Sequence, residues 1–409
     1  MHARYTAPVL SLLLPFALNA QKAYIPNGGD DLTIVDVTTN GTVGTITLPV
    51  GSGPVGVSFS PDGQRACIAN YYGNSVSMID ATTNNVLTTV PAGTAPQNAV
   101  FTPDGSTVYV IASGEQAVLV MDATTFAITD TIAVGPFPIG AAITPDAATL
   151  YVADGAFGTN KVRVISTATN TVVDSITVGD TPAGVAITPD GGTLYVANNG
   201  GNSVSVISTA TNTVTATITD AGAAPSLMAM HPNGDELYVS GMDNFVAVVS
   251  TATNTVTDSI PGIEFVLGLA ITPDGSSLYA LTPFAGAVVE VNTATHSIAN
   301  TFAMTFPNAI GNFIGGVDPS AGISDGAPAA IGVTAFPNPC TERATLHFDQ
   351  ELRNADVQVL DALGRTVRMV GGINGAQWTL ERNGLSTGLY TVRFSQQGGR
   401  VQAVKITVE

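Results

Sequence analysis

The chain is 409 residues long, carries a formal charge of −18 and is only 11% charged, with 43 glycines and 24 prolines. The charge is lopsided: residues 21–330 hold 24 Asp and Glu against four basic residues (Lys22, Arg65, Lys161, Arg163), whereas residues 331–409 hold seven acids and eight bases. A large acidic part repels phosphate backbones and anionic membrane surfaces, which argues against nucleic acid as a partner, and two units of different electrostatic character are expected.

At the N-terminus, Arg4 precedes an apolar run from Ala7 to Leu18 that is too short to span a bilayer as a helix. The run closes on the small residues Ala17, Asn19 and Ala20, the pattern of a signal peptide over residues 1–20 with the mature chain starting at Gln21. No later stretch is apolar and long enough for a membrane span. The two cysteines, Cys67 and Cys340, fall one in each expected unit and supply neither a disulfide framework nor a metal set.

From Ala23 the chain repeats itself. Turns of the form Pro-Asp-Gly recur at Pro61, Pro103, Pro145, Pro189, Pro232 and Pro273, with Ala147 and Asn233 as variants, at spacings of 42, 42, 44, 43 and 41 residues. Such a turn joins two antiparallel strands, because Pro presets φ, Asp bonds its own backbone and Gly accepts a positive φ. Each period contains four short runs rich in Val, Ile, Thr and Tyr, as in Pro182–Ile187, Thr193–Asn198, Ser203–Ile207 and Asn212–Ile218. Four strands in about 42 residues is the size of a β-propeller blade.

The three outer runs of each period start near Ala23, Cys67, Tyr109, Tyr151, Tyr195, Tyr238 and Tyr279, which predicts seven blades. The first lacks an innermost strand. The segment Asn308–Asp318 is available to supply it, joining the two ends of the ring and leaving no unpaired edge between first and last blades. The runs Leu194-Tyr-Val-Ala-Asn198, Ser203-Val-Ser-Val-Ile207 and Ser208-Thr-Ala-Thr-Asn-Thr-Val214 resemble YVTN-family repeats, which are similar to surface-layer propellers and to lactonase-like and amine-dehydrogenase-like propellers. That resemblance implies the fold over residues 23 to about 318; function varies within the group.

After a linker rich in small residues and Pro (319–330), residues 331–409 alternate as half-buried strands do, the pattern of a small β-sandwich. The expected organisation is therefore all-β: signal peptide 1–20, seven-bladed propeller 21–318, linker, and a C-terminal domain 331–409. Phe336-Pro-Asn-Pro339, Val359-Leu-Asp-Ala-Leu-Gly-Arg365, Leu385-Ser-Thr-Gly-Leu-Tyr390 and Lys405-Ile-Thr-Val-Glu409 resemble, in order and position, the C-terminal sorting domain of type IX secretion cargo. The resemblance implies the type IX machinery as partner, passage through the periplasm to the outer-membrane surface or the medium, and Gly364, Arg365, Gly388, Tyr390 and Lys405 as sorting-signal residues.

Catalytic groups are sparse. His231 and His296 lie in different repeats, Arg65 lies just past a Pro-Asp-Gly turn, and lactonase-like chemistry needs acids and bases clustered at the channel mouth. No Cys-x-x-Cys-His motif is present, and the only Trp, Trp378, lies in the tail, so no cofactor, haem or quinone is expected. No Asp-x-Asp-x-Asp-Gly loop points to calcium, and no metal site is expected. The face carrying the loops between second and third strands is the expected binding face, through Asn70, Tyr71, Tyr72, Asp154, Phe157, Asn198, Asn199, Asp243 and Phe284, with an extracellular glycan or protein as partner. The leading expectation is a non-catalytic surface or secreted scaffold. The alternatives are a hydrolase or lactonase at the channel mouth and a structural surface-layer component.

Overall fold

The computed structural model describes residues 21–317, 333–336, 341–360, 366–382, 385–395 and 402–408. The expected signal peptide, the linker, Cys340, Gly364 and Arg365 lie outside the described residues. The chain divides into two compact units, one spanning residues 19–322 and one built from the C-terminal part.

The larger unit consists of seven four-stranded antiparallel sheets. Blades two to seven each run in chain order from the innermost strand outward; blade five, for example, is Pro182–Ile187, Thr193–Asn198, Ser203–Ser208 and Thr213–Ile218. Blade one is made from both ends of the ring. Its innermost strand is Ile314–Val317, which pairs with Gln21–Pro26 ahead of Asp31–Asp36 and Gly41–Thr47. The segment before that strand also reaches the next blade: Val57 N–H donates to Ile310 O at 2.9 Å, and Ile310 N–H donates to Val55 O at 2.7 Å.

Burial follows strand position. Second strands read almost wholly buried, as in Thr193–Asn198, while the fourth strands are mostly exposed. The side chains that fill the gaps between blades are the tyrosines of the second strands, Tyr24, Tyr151, Tyr195, Tyr238 and Tyr279, all fully buried.

The Pro-Asp-Gly turns satisfy their own polar groups. In blade five Thr188 Oγ1 donates to Asp190 Oδ1 at 2.5 Å, Gly192 N–H donates to the same oxygen at 2.9 Å, and Gly191 sits at φ +73°. The Thr188 hydroxyl, with the Gly192 amide, holds the Asp190 carboxyl below its ordinary range. These carboxylates are consumed by the turn and face away from the loop side.

The smaller unit is an antiparallel sheet in which the long strand Arg343–Leu360 pairs with Val333–Phe336, Thr366–Glu381 and Gly388–Ser395, and the last of these pairs with Gln402–Val408. Its strands enclose one apolar core that includes Leu346, Val357, Tyr390, Val392 and Ile406.

Candidate functional site

All loops between second and third strands, and all loops entering an innermost strand, emerge on one face of the ring. The polar residues expected there are largely spent on the scaffold. Asn70 and Asn198 are equivalent positions at the ends of second strands, fully buried, and their amides donate to Ser75 and Ser77 and to Ser203 and Ser205. Asp154 holds the same position in blade four. It is 1% exposed and pairs with Arg163 Nη2 at 2.8 Å, where blade five has Ser205. Asn70, Asp154 and Asn198 each keep one Oδ1 atom with no protein donor, the environment that internal water satisfies. Asn199 donates to Ala224 O at 2.9 Å, and Asp243 accepts from Ala223 N–H, so both brace the loop entering blade six.

The aromatic residues behave differently. Tyr72 is 75% exposed, Phe157 93% and Phe284 72%. Tyr72 meets Tyr71 edge-on at 5.1 Å between ring centroids, and its ring lies over Gly53. Phe284 meets Phe265 at 5.7 Å and Phe306 at 6.0 Å, both edge-on. The structure thus brings Phe284 into a three-ring cluster that the sequence reading missed. Phe265 and Phe306 belong to a series of residues in the loops leading to the innermost strands (Gly53, Ala95, Phe137, Thr181, Ala224, Phe265 and Phe306) that all have positive φ, between 41° and 52°. The signal was available: most of them precede a Pro at the repeat spacing.

The central channel holds a cavity of about 770 Å³, whose lining reaches the turn residues Pro232 and Pro273. Its wall is built from innermost strands and the closing segment: apolar side chains such as Val55, Ile139, Leu227, Met228, Leu269 and Ile310, with the neutral amides of Gln97, Asn98, Asn308 and Asn312. Glycines let neighbouring innermost strands approach: a Cβ on Gly140 would stand 2.1 Å from Ala183 O, and one on Gly184 would stand 2.3 Å from Ser226 O. No Asp, Glu, His, Lys, Arg, Cys or Tyr lines the cavity. Among the described residues no group of three or more His, Cys, Asp or Glu forms a metal set.

The two described imidazoles of the ring lie on the opposite, turn-bearing side. His231 bonds Asn233 Oδ1 at 2.6 Å and Gly275 O at 3.1 Å, and His296 lies between Asp258 Oδ2 at 2.9 Å and Glu236 Oε1 at 3.2 Å. Arg65 also lies there, with its guanidinium donating to Ala123 O and stacked 5.9 Å from the Phe126 ring.

In the smaller unit, Gly388 opens its strand, Lys405 falls within Gln402–Val408, and the buried Tyr390 donates its hydroxyl to Ser386 O at 2.9 Å. Among the described residues no helix is long and apolar enough to cross a membrane.

Residues 334–409 match the family described as the secretion system C-terminal sorting domain, and residues 16–263 match the family described as the cytochrome D1 heme domain. The sorting domain directs the protein to the cell surface or the medium and implies contact with the type IX secretion machinery. Among curated proteins, none matches the chain. One similar solved structure is the Kuenenia stuttgartiensis hydrazine synthase, 25% identical over 63% of this chain and 89% of that chain, with a TM-score of 0.57. Another is a functionally unknown protein from Desulfotomaculum acetoxidans DSM 771, 16% identical over 71% of this chain and 97% of that one, with a TM-score of 0.63. At that identity the likeness shows the fold alone.

A haem does not suit this cavity. Haem iron is held by His, Cys thiolate or Tyr, or by Met acting with a His, and the wall offers the thioethers of Met228 and Met230 with no His, Cys or Tyr beside them. The acidic side groups of a haem need cationic partners, and neither Lys nor Arg lines the channel.

Proposed function

The chain belongs to the cytochrome D1 heme domain family, and we propose that it serves as an exported, non-catalytic scaffold that binds an extracellular glycan or protein with the loop face of the ring. The observation that carries this reading is the division of labour on that face. The aromatic side chains Tyr72, Phe157 and Phe284 present most of their surface to solvent, while the wall of the channel holds no ionisable side chain. General acid–base chemistry and nucleophilic activation both require ionisable groups within hydrogen-bond reach of the reacting atoms. Exposed Tyr and Phe on a rigid frame are the side chains that supply contact area at low entropic cost.

In this reading residues 1–20 are removed during export, 21–318 form the ring, and 319–330 connect it to the sorting tail 331–409, whose signal includes Gly364, Arg365, Gly388, Tyr390 and Lys405.

The reading is tested by presenting the full chain to an array of extracellular polysaccharides and peptides, with hydrolysis of lactones and esters assayed in parallel. Saturable capture without turnover supports it; turnover that survives removal of contaminating enzyme overturns it in favour of a hydrolase.

A further inference from the structure

The aromatic face and the channel are different kinds of surface. The face is open; the channel is a bounded cavity of about 770 Å³, within the roughly 300–1,000 Å³ typical of small-molecule pockets. A wall of this composition selects by charge. Transferring an anion or cation into it costs many times what a neutral group costs, because nothing in the wall is of opposite sign. The acidic ring around it, with 23 Asp and Glu between residues 21 and 318, adds repulsion for anions.

The wall also has a buried acceptor. Asn308 lies where the closing segment enters the channel, and its backbone N–H donates to Pro26 O at 3.0 Å. Its Oδ1 atom is buried and receives no donor from the protein. With no accessible surface it lies behind the channel lining, where an internal water and not a guest in the channel satisfies it.

We infer that the central channel is a binding site for an uncharged, mainly apolar small molecule. This deepens the scaffold reading and rests on it, since it assigns the channel to binding and not to chemistry.

The test uses two fluorescent probes of matched skeleton and the full chain. N-phenyl-1-naphthylamine is neutral, apolar and has one N–H; 8-anilino-1-naphthalenesulfonate has the same rings plus a sulfonate. The neutral probe should bind saturably with one site per chain, and the sulfonate at least about tenfold more weakly, a difference of about 1.4 kcal/mol. Ala183→Trp and Ser226→Trp, each filling the mouth from a different blade, should abolish binding.

A face variant with Tyr72→Ala, Phe157→Ala and Phe284→Ala should keep the probe, which separates this inference from the scaffold reading. Equal affinity for both probes overturns the inference even if neither Trp variant folds. So does loss of the probe in the face variant with retention in the Trp variants. Capture of a glycan or protein by a chain that binds neither probe would leave the scaffold reading standing and the channel assignment wrong.

Discussion

The hydroxyl of Tyr279 donates to Asn40 Oδ1 at 2.7 Å across 239 residues of sequence, so the last blade is latched to the first. The same bond recurs around the ring. Each second-strand Tyr reaches an Asn in the connector before the outer strand of the following blade: Tyr24 to Asn84 at 2.7 Å, Tyr151 to Asn212 at 3.1 Å and Tyr195 to Asn254 at 2.7 Å. Those Asn residues all have left-handed backbone, which Asn tolerates better than other side chains with a Cβ. Two junctions break the pattern: one replaces both partners, the other keeps the Tyr and replaces the Asn with His296. Cys67 stands with Phe126 in an apolar junction, and Tyr238 donates to Glu236, which in turn meets His296.

Removing the seam latch therefore costs more than removing a weaker copy. The single hydroxyl proton of Tyr279 is shared between Asn40 Oδ1 and Val37 O, the latter at 2.9 Å, and Tyr279→Phe should destabilise the ring by about 1–2 kcal/mol. Tyr109 sits 3.3 Å from Asn170, and Tyr109→Phe should cost less than half as much. Urea unfolding of the two variants measures the difference; equal losses would show that the latch is incidental.

The latches also set an alkaline limit. Burial, then the charge of Asp190, pushes the Tyr195 hydroxyl from its ordinary 10.0 up to about 12, and burial raises Tyr24 and Tyr279 as well. A raised folded pKa means that the stabilisation is complete below the unfolded value of about 10 and is lost as pH climbs through the folded one. Stability should hold to about pH 10 and fall steeply between there and about 12, with tyrosinate absorbance from these residues appearing only as the ring opens. Ionisation of all tyrosines near pH 10 without unfolding would contradict this.

Asp154 and Arg163 are a charged version of the arrangement that blades two and five build from neutral groups, Asn70 with Ser77 and Asn198 with Ser205. Arg163 is 29% exposed, but its partner is almost wholly buried. Arg163→Ser alone strands a buried carboxylate and should cost about 2–3 kcal/mol. Combined with Asp154→Asn it recreates the Asn198–Ser205 arrangement of blade five and should recover most of that loss. A double-mutant cycle by thermal unfolding reads the coupling.

The variant turn Pro145-Asp146-Ala147 places a Cβ at φ +62°, where sister turns have Gly63, Gly105 and Gly191 at 68–73°. Ala147→Gly should stabilise the ring by about 0.5–1 kcal/mol, because relief of the left-handed strain exceeds the entropy gained by the unfolded chain. A lowered melting temperature would show that the entropy dominates.

Much of the fold was legible because its signals are local and repeated. The Pro-Asp-Gly turns and the alternating Val, Ile and Tyr runs give the blades, and the missing first strand identifies Asn308–Asp318 as its replacement, of which Ile314–Val317 forms the strand. The candidate site was only half legible. Asn70, Asp154 and Asn198 have the composition of a binding loop, but their spacing could not reveal that they turn inward to bond Ser77, Arg163 and Ser205. The channel wall was hidden for a different reason. Gln97, Ser226 and Asn308 are separated by scores of residues, and only ring closure brings them around one axis. The Tyr–Asn latches likewise join residues about 60 apart, or 239 apart at the seam, and no single repeat contains both partners.

The most direct measurement of the central claim is retention on the cell surface or on extracellular material of the full chain compared with the variant bearing Tyr72→Ala, Phe157→Ala and Phe284→Ala. These side chains are 75%, 93% and 72% exposed, so their loss should leave the melting temperature unchanged. The account predicts at least about a tenfold loss of retention in the variant, as expected when aromatic anchors of an interface are truncated. Retention equal to that of the unmodified chain would contradict it and move the binding function off the loop face.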